Sequence, residues 1–394
     1  MKTNSILIAG GGTAGWLTAV SLSLKLDKSI SIKLIESPTI GTIGVGEATI
    51  PSLKVFHDSL GINEDEFMKY TDSTLKYSIE FSGWSTEDSS YHHSFDLDGN
   101  TPLYAYHLDS GKYATYLREM AVANGVEHIQ GDISDVITND KGIQSLTLED
   151  GSFHEADLFV DCTGFKSLLL GQELGVKFND WSHLIPSDSA WAVQTEKQPE
   201  AFEYTKSIAR PIGWQWTIPL TTRTGNGIVY SSKYCTDEEA LETLLNNLNT
   251  KVISEPRKIK FQTGCREEFW HKNCLGIGLS SGFIEPLEST TIHLIIVSIN
   301  KLIRSLSTNN STPHASYNES MTSLSKDIRD FIIAHYHINS RNELMWRDYQ
   351  QMIVPDSVKN RIDHFVNTKQ SWGDNSSFFQ KANWEMLLLG QLEL

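Results

Sequence analysis

The sequence predicts an α/β fold in which a parallel sheet is joined by a mostly antiparallel sheet layer and a helical C-terminal segment. Residues 5–36 place a helical stretch between two apolar runs, as a β-α-β unit does. Strand patterns with frequent glycine and proline recur from residue 166 to residue 264. Helical patterns prevail from residue 306 to residue 394. These three observations define the expected architecture.

The β-α-β unit begins with an uncharged apolar run, residues 6–9, which is typical of a buried parallel strand. The glycine-rich turn GGGTAGW follows, and its Gly10, Gly12 and Gly15 fit the G-x-G-x-x-G spacing. Such glycines allow a tight turn, close approach to a pyrophosphate and close packing of helix on strand. Glu36 ends the second strand, where an acidic residue can bind a ribose hydroxyl. The unit therefore favours a dinucleotide site over a plain loop.

The composition argues against several classes of protein. A net charge of −16 disfavours nucleic acid and anionic membranes as partners. The four cysteines form neither a C-x-x-C pair nor a metal-ligand spacing, which indicates reduced thiols and no metal site. Residues 1–4 run straight into the first strand, so we expect no signal peptide. Residues 292–303 are too short and too polar to span a bilayer, and we expect a cytoplasmic protein.

Two segments of the first half hold candidate functional residues. Residues 41–51, GTIGVGEATIP, combine three glycines with a proline and indicate a loop, either a surface crossover or a strap against a flat cofactor ring. Residues 74–84 alternate like a strand, but Lys76 interrupts them. Lys76 can be interpreted as a solvated surface residue or as a functional residue, and the pattern favours neither. His92 and His93 follow, and because neighbours on a strand face opposite sides, at most one of them can face a given pocket.

The second half adds two further patterns. Alternation places Trp214 and Trp216 on one face of a strand, where core packing is the simplest explanation. The pattern of residues 275–291 predicts a strand, a Gly-Ser loop and the start of a helix near Ser289. The free N–H groups at the start of this helix would form an anion site. Glu288 lies beside this helix start. Its simplest role is to interact favourably with the positive end of the helix dipole. The strand that ends at Asp161 leads into a glycine turn suited to a second cofactor contact.

Four motifs together resemble the flavin-dependent halogenases related to tryptophan halogenases: GGGTAGW (10–16), GVGEATIP (44–51), WQWTIP (214–219) and PLEST (286–290). The W-x-W-x-I-P signature is highly specific, and the resemblance covers most of the chain to about residue 345. It implies an FAD-binding Rossmann-like domain of the GR2/monooxygenase type in residues 1–165 and 265–305. It also implies a substrate sheet layer in residues 166–264 and a helical segment in residues 306–394 that completes the substrate pocket.

The resemblance implies a two-component, FADH2-dependent halogenase that makes hypohalous acid from oxygen and chloride or bromide. A separate NAD(P)H flavin reductase would supply the reduced flavin. The acid would travel through a tunnel to Lys76, which would hydrogen-bond it or carry the halogen as a haloamine; both options stay open. Glu288 would stabilise the cationic ring intermediate or take its proton. Trp214 and Trp216 would form a wall that keeps organic substrate from the flavin.

The resemblance also assigns the remaining site residues. Halide would bind the backbone N–H groups of Thr290 and Thr291, although the family commonly has glycine at the latter position, and bromide is the favoured halide. The expected cofactor contacts are Gly10, Gly12, Thr13, Ala14, Gly15, Glu36, Gly46, Glu47, Ala48, Gly164, Leu279 and Ile292. The expected substrate pocket consists of Ile50, Pro51, His93, Phe95, Phe378 and Phe379.

The chain differs from halogenases of free tryptophan in two respects. It is shorter, with a curtailed segment between Phe95 and Leu103, and its C-terminal segment has no match to the residues that clamp the amino-acid group. We therefore expect an indole, a phenol or a larger natural product as substrate in preference to free tryptophan. The alternatives are a flavin-dependent aromatic hydroxylase and a non-catalytic FAD-binding sensor. A homodimer is what the family suggests.

Overall fold

The computed structural model describes residues 3–41, 46–97, 103–307, 313–372 and 377–392. The strands are β1 (Ser5–Ala9), β2 (Ser31–Glu36), β3 (Gly46–Ala48), β4 (Thr74–Lys76), β5 (Ser78–Ser82), β6 (Ser90–Ser94), β7 (Ala105–Asp109), β8 (Glu127–Gln130), β9 (Ile133–Asn139), β10 (Gly142–Leu148), β11 (Phe153–Glu155), β12 (Leu158–Asp161), β13 (Phe178–Asp180), β14 (Ser189–Glu196), β15 (Tyr204–Arg210), β16 (Gly213–Pro219), β17 (Arg223–Tyr230), β18 (Arg257–Lys260), β19 (Gly264–Arg266), β20 (Trp270–His271), β21 (Cys274–Gly276) and β22 (Gly282–Phe283). The helices are α1 (Thr13–Lys25), α2 (Ser52–Leu60), α3 (Glu64–Tyr70), α4 (Ser110–Ala123), α5 (Asp237–Asn246), α6 (Thr291–Ser307), α7 (Pro313–His337), α8 (Leu344–Gln351), α9 (Asp356–Thr368) and α10 (Lys381–Gln391).

A six-stranded sheet in the order β20-β21-β12-β1-β2-β8 forms the first layer. Strand β1 pairs in parallel with both β2 and β12, and β8 and β21 extend the parallel part. Helix α1 packs against α4 and α6 on this sheet. Ile6, Leu7 and Ile8 are fully buried because the sheet is covered on both faces. The predicted β-α-β unit is confirmed.

A seven-stranded sheet in the order β18-β14-β17-β16-β15-β5-β6 forms the second layer. Its neighbours are antiparallel except for β15 and β5, which run parallel. The predicted mostly antiparallel layer is therefore present. This layer also contains β5 and β6, which lie within residues 78–94, well before residue 166. Segments distant in the chain thus share one sheet beside the first layer.

The lysine-containing stretch is divided between two sheets. The sequence predicts one strand over residues 74–84, but β4 pairs with β7 whereas β5 pairs with β15 and β6. Tyr77 lies at the change of sheet, and its N–H bonds to the carbonyl of Glu203. The change places Lys76 at the end of β4, fully buried. An alternating pattern does not show such a change, because both halves keep a period of two.

The helices also differ from their expected bounds. Residues 52–70 follow one amphipathic helical pattern in the sequence, but the structure interrupts the helix at Gly61, which has a φ of 70° and ends α2. Helix α10 begins at Lys381, so Phe378 and Phe379 precede it. Helix α8 lies within the predicted helical segment 306–394. Within the described ranges no helix has the length and apolarity that a bilayer crossing needs, and no cluster of metal-ligating side chains is found there.

Candidate active site

A groove of about 890 Å³ lies at the carboxyl ends of β1, β2 and β12. This is the edge of a parallel sheet where ligands bind in doubly wound folds. Nine of the twelve expected cofactor residues line it: Gly10, Gly12, Thr13, Ala14, Glu36, Glu47, Gly164, Leu279 and Ile292. The other three, Gly15, Gly46 and Ala48, are not part of the lining. The groove therefore gathers residues from five separate segments into one elongated site.

The glycines of this turn differ in whether the fold itself requires glycine. Gly10 has a φ of 111°, and a Cβ there would lie 2.3 Å from the carbonyl oxygen of Cys162. A Cβ on Gly15 would lie 1.8 Å from the carbonyl oxygen of Gly10. Both positions are therefore fixed by the protein's own backbone. A Cβ on Gly12 would meet nothing within 4 Å, so the fold alone does not require glycine there.

Glu36 lies against the glycine turn, where a Cβ on Gly11 would be 2.3 Å from its side chain. Its Oε2 is 2.9 Å from Nε2 of His128 and 3.9 Å from Arg118. These two basic residues hold the carboxylate at the groove. Sequence reasoning missed both, because they lie on β8 and α4 and nothing local marks them.

Substitution of Gly12 separates ligand binding from folding. We expect Gly12→Ala to leave the melting temperature unchanged, because its Cβ has free space. The same Cβ would stand where a phosphate approaches the N-terminus of α1, so FAD affinity should fall by about tenfold or more. The measurement is a flavin-fluorescence titration beside a thermal melt. Gly15→Ala is the matched control, since its clash should lower the melting temperature itself. Unchanged FAD affinity in Gly12→Ala would contradict a phosphate site at this turn.

Lys76 lies beyond the groove, with its ammonium group enclosed by protein. Its Nζ donates hydrogen bonds to the carbonyl oxygen of Thr49, at 2.9 Å, and to Oγ of Ser289, at 2.8 Å. The ring of Phe95 lies 5.2 Å from Nζ. Burial lowers the pKa of Lys76 to about 7, against the opposing charges of Glu288 and Glu47. Amine and ammonium forms are therefore both accessible near neutral pH.

Glu47 links the groove to this lysine. It lines the groove, and its charge acts on Lys76. Desolvation raises the pKa of Glu47 to about 7, although the positive charge of Lys76 acts against the rise. A carboxyl group with this pKa exchanges its proton near neutral pH.

Glu288 ends a 3-10 turn, Pro286–Glu288, and is 2% exposed. Its Oε2 lies 2.8 Å from Nδ1 of His93, and its Oε1 lies 2.9 Å from Nε2 of His335. Burial alone would raise the pKa of Glu288, but the two histidines hold it at about 2. Ser289 follows with a left-handed backbone, φ 57° and ψ 33°, a costly conformation for serine that is typical of functional sites.

The start of α6 offers unpaired donors. The N–H groups of Thr290 and Thr291 donate no hydrogen bond within the described part of the chain, while the carbonyl of Thr290 accepts from the N–H of Leu294. Thr291 lines the groove, and Thr290 is 1% exposed. The geometry suits an anion at a helix N-terminus, as expected for the halide site.

The aromatic candidates fall into two groups. Trp214 and Trp216 are buried with ring centroids 6.1 Å apart, and neither lines the groove. Nε1 of Trp214 donates to Oε1 of Glu285, at 3.0 Å. Phe379 stacks on Phe331 at 3.8 Å and lies 6.2 Å from His93. The assignment of the tryptophans as a flavin wall stays a prediction, since core packing also accounts for their burial.

The other pocket candidates lie around the same centre. Ile50 and Pro51 directly follow Thr49, whose carbonyl binds Lys76. Phe378 stacks on His293 at 4.3 Å, and its N–H donates to Asp327, which also accepts from the N–H of Phe379. The structure thus places Lys76, Glu288 and all six expected pocket residues in one region. Sequence reasoning missed His335, Asn383 and the bonding role of Ser289.

Comparison with known proteins identifies the chain's relatives. The family model described as tryptophan halogenase matches residues 5–103 and 98–393. The tryptophan 6-halogenase SttH of Streptomyces toxytricini is 33% identical over 438 residues, covering 92% of this chain and 84% of the relative. Tryptophan 7-halogenase RebH of Lentzea aerocolonigenes is 32% identical, covering 92% of this chain and 82% of the relative.

Solved structures agree with the sequence comparison. The flavin-dependent halogenase Xcc4156 of Xanthomonas campestris superposes with a TM-score of 0.95 at 39% identity, covering 99% of this chain and 89% of that one. BrvH, a flavin-dependent halogenase of Brevundimonas sp. BAL3, gives a TM-score of 0.92 at 35% identity, with coverage of 99% and 90%. The chain is therefore an enzyme of the tryptophan halogenase family, the flavin-dependent halogenases.

Proposed function

We propose that this halogenase uses FADH2, oxygen and halide to make hypohalous acid and halogenates an electron-rich aromatic ring at Lys76 and Glu288. The observation that carries the proposal is the contact between Nζ of Lys76 and Oγ of Ser289, at 2.8 Å. It joins the lysine to the turn that carries Glu288 and leads into the expected halide site. Lysine and carboxylate therefore face one buried region next to the groove.

The residues of the groove fit the flavin. The open side of Gly12 and the free N–H groups of α1 suit a pyrophosphate, and Glu36 suits a ribose hydroxyl. When bound, reduced flavin would supply two electrons and two protons, so that oxygen, halide and one further proton give hypohalous acid and water. No second nucleotide fingerprint is evident in the sequence, and we therefore assign reduction of the flavin to a separate reductase.

The protein's own residues handle the oxidant and the ring. Buried Lys76 can hydrogen-bond hypohalous acid as ammonium, or accept its halogen as free amine while hydroxide leaves with a proton as water. Glu288 stabilises the cationic ring intermediate or takes the ring proton, after which the aromatic product is restored. Tight burial around both residues limits escape of the oxidant to water.

The substrate is the finer part of the proposal. The ring of Phe95 lies over Nζ of Lys76, and the ring of Phe379 lies beside His93, which contacts Glu288; such rings suit a flat aromatic substrate. We propose an indole, a phenol or a larger natural product bearing such a ring. Free tryptophan is the second candidate, since SttH and RebH are named for it.

The proposed division of the chain follows the same geometry. Residues 1–165 and 265–305 would form the flavin domain, residues 166–264 the substrate sheet layer and residues 306–394 the closing helical segment. The groove residues support this division, because most of them come from the first two ranges. Strands β5 and β6 join the substrate layer's sheet, so that layer also takes in residues 78–94.

A product assay tests the proposal. The enzyme is incubated with FAD, NADH and a flavin reductase, and chloride and bromide are offered separately with indole, a phenol panel and tryptophan. We expect a halogen isotope pattern in the product mass, stronger with bromide. Addition of oxygen instead would identify a hydroxylase, whereas FAD binding without turnover on any ring would favour a non-catalytic flavoprotein.

A further inference from the structure

The hydrogen bonds of His93 fix its protonation state. Oδ1 of Asn383 accepts the N–H of Gln380 at 2.8 Å, so the amide nitrogen of Asn383 must face Nε2 of His93, at 3.0 Å. That nitrogen only donates, and Nε2 therefore carries no proton. The ring proton is on Nδ1, where it is donated to Oε2 of Glu288 at 2.8 Å. His93 is thus a neutral donor to the carboxylate.

His335 faces the other oxygen of the same carboxylate. Its Nδ1 lies 2.9 Å from the carbonyl oxygen of Phe331, which can only accept, so Nδ1 carries a proton. Its Nε2 lies 2.9 Å from Oε1 of Glu288, an ion-pair contact that is not aligned as a hydrogen bond. An unprotonated ring nitrogen and an unprotonated carboxylate oxygen would repel each other at this distance. The pair therefore holds one further proton, either as imidazolium with carboxylate or as imidazole with carboxylic acid.

The surroundings select the ionised form. Oε2 of Glu288 already accepts the Nδ1–H of His93, which favours the carboxylate form of Glu288. His335 is fully buried, with the rings of Phe81, Trp84 and Phe331 at 4.8, 6.0 and 4.9 Å. Aromatic rings stabilise an enclosed cation better than aliphatic side chains do. The extra proton is therefore on His335.

We infer that His335 is a positioning residue, a buried imidazolium that orients Glu288 and keeps it ionised beside Lys76. The inference rests on the proposed function in so far as Glu288 acts on the ring. The titratable groups that face Glu288 are His93 and Tyr91 from β6, Lys76 from β4 and His335 from α7.

The charges of this cluster explain what His335 does for the lysine. His335 and Glu288 together carry no net charge, so Lys76 experiences only part of the carboxylate's attraction for a proton. Glu47 is the other carboxyl group that acts on Lys76. The imidazolium therefore favours the carboxylate form of Glu288 and the free amine of Lys76 at the same pH. His335 is fully buried and exerts this effect through its contact with Glu288.

His335→Gln tests the role of the charge, because an amide nitrogen can replace Nε2–H without carrying a charge. Glu288 and Lys76 would then both deprotonate at higher pH, and the ascending limb of the pH–kcat profile should move up by about one unit or more. KM for the aromatic substrate should change little, since His335 is fully buried. His57→Gln is the matched control, a buried histidine hydrogen-bonded to Tyr113 away from the cluster. A wild-type profile in His335→Gln would overturn the inference.

A spectroscopic readout does not depend on turnover. In wild-type enzyme labelled with ¹⁵N-histidine, two-bond ¹H–¹⁵N correlation spectra should show His335 as imidazolium and His93 as the neutral Nδ1–H tautomer at pH 7.5. The His335 signals are assigned by their loss in His335→Gln or their movement in Glu288→Gln. A neutral His335 in an enzyme that halogenates would overturn this inference alone. Imidazolium signals in an enzyme that makes no halogenated product would instead count against the proposed function.

Discussion

Lys76→Met should abolish halogenation while leaving the protein as stable as the wild type or more stable. Methionine fills nearly the same space but has no amine to bind or carry the halogen, so product formation should fall by at least on the order of 10³-fold. FAD affinity should not change, because Lys76 does not line the groove. Product is measured by mass spectrometry and FAD binding by fluorescence titration.

The stability of this variant has a pH dependence with a definite sign. Burial lowers the pKa of Lys76 to about 7, so the folded protein binds fewer protons than the unfolded chain between about pH 7 and the ordinary lysine pKa. The stability of the wild-type protein therefore rises with pH across that window as Lys76 loses its proton. Below pH 7 the destabilisation caused by burying the charged lysine is complete. In thermal melts taken at several pH values, the melting temperature of Lys76→Met should not show this rise with pH.

Lys206→Met is the matched control for the lysine. Lys206 lies on β15 in the neighbouring sheet, where its Nζ packs over the ring of Phe202 at 4.6 Å. Its loss should leave halogenation unchanged. Halogenation retained in Lys76→Met would remove this lysine from the mechanism, whatever the stability of the variant.

Glu288→Gln should slow ring halogenation by on the order of 10²-fold while hypohalous acid still forms. The amide keeps the shape but loses the charge that stabilises a cationic ring and the basicity that removes its proton. It also leaves His335 without its counter-ion in a fully buried place. Hypohalous acid is measured with a diketone scavenger and the aromatic product by mass spectrometry, so that the two steps are followed separately.

Glu285→Gln provides the comparison within the same turn. Glu285 is also fully buried, but it forms no ion pair with the residues that the structure describes, and burial raises its pKa to about 7. Its Oε1 accepts from Trp214 and from the hydroxyl of Tyr336, at 2.6 Å, which a glutamine oxygen can also do. This variant should retain most activity. Equal rates in Glu288→Gln and wild type would reduce Glu288 to a structural carboxylate.

The local features of the fold were predictable because their causes are local. The β-α-β unit follows from apolar runs around a glycine turn. Asp109, a residue type that favours the N-cap position, caps α4 by accepting from the N–H groups of Gly111 and Lys112. The end of α2 at Gly61 also has a local cause, since glycine readily adopts the left-handed conformation found there.

The site was predictable only through motifs. Residues 74–84 keep one alternating pattern although the chain changes sheet at Tyr77, so the burial of Lys76 could not be read from it. His335 looks like an ordinary helical residue, because the carboxylate that defines its role lies on another segment. Phe378 and Phe379 fall in a helical pattern, yet Asp327 binds their N–H groups before α10 begins. Each miss reflects a partner distant in the chain.

The bonds around Glu288 also set an order of events in biosynthesis. They join residues 195, 213 and 290 positions apart: His93 with Glu288, Lys76 with Ser289, and Asn383 with His93. Closing such long loops is entropically costly, so these contacts form after local ones. On a ribosome the glycine turn emerges first and α10 near the end. The nascent chain can therefore form its glycine turn long before it can assemble the residues that handle an oxidant.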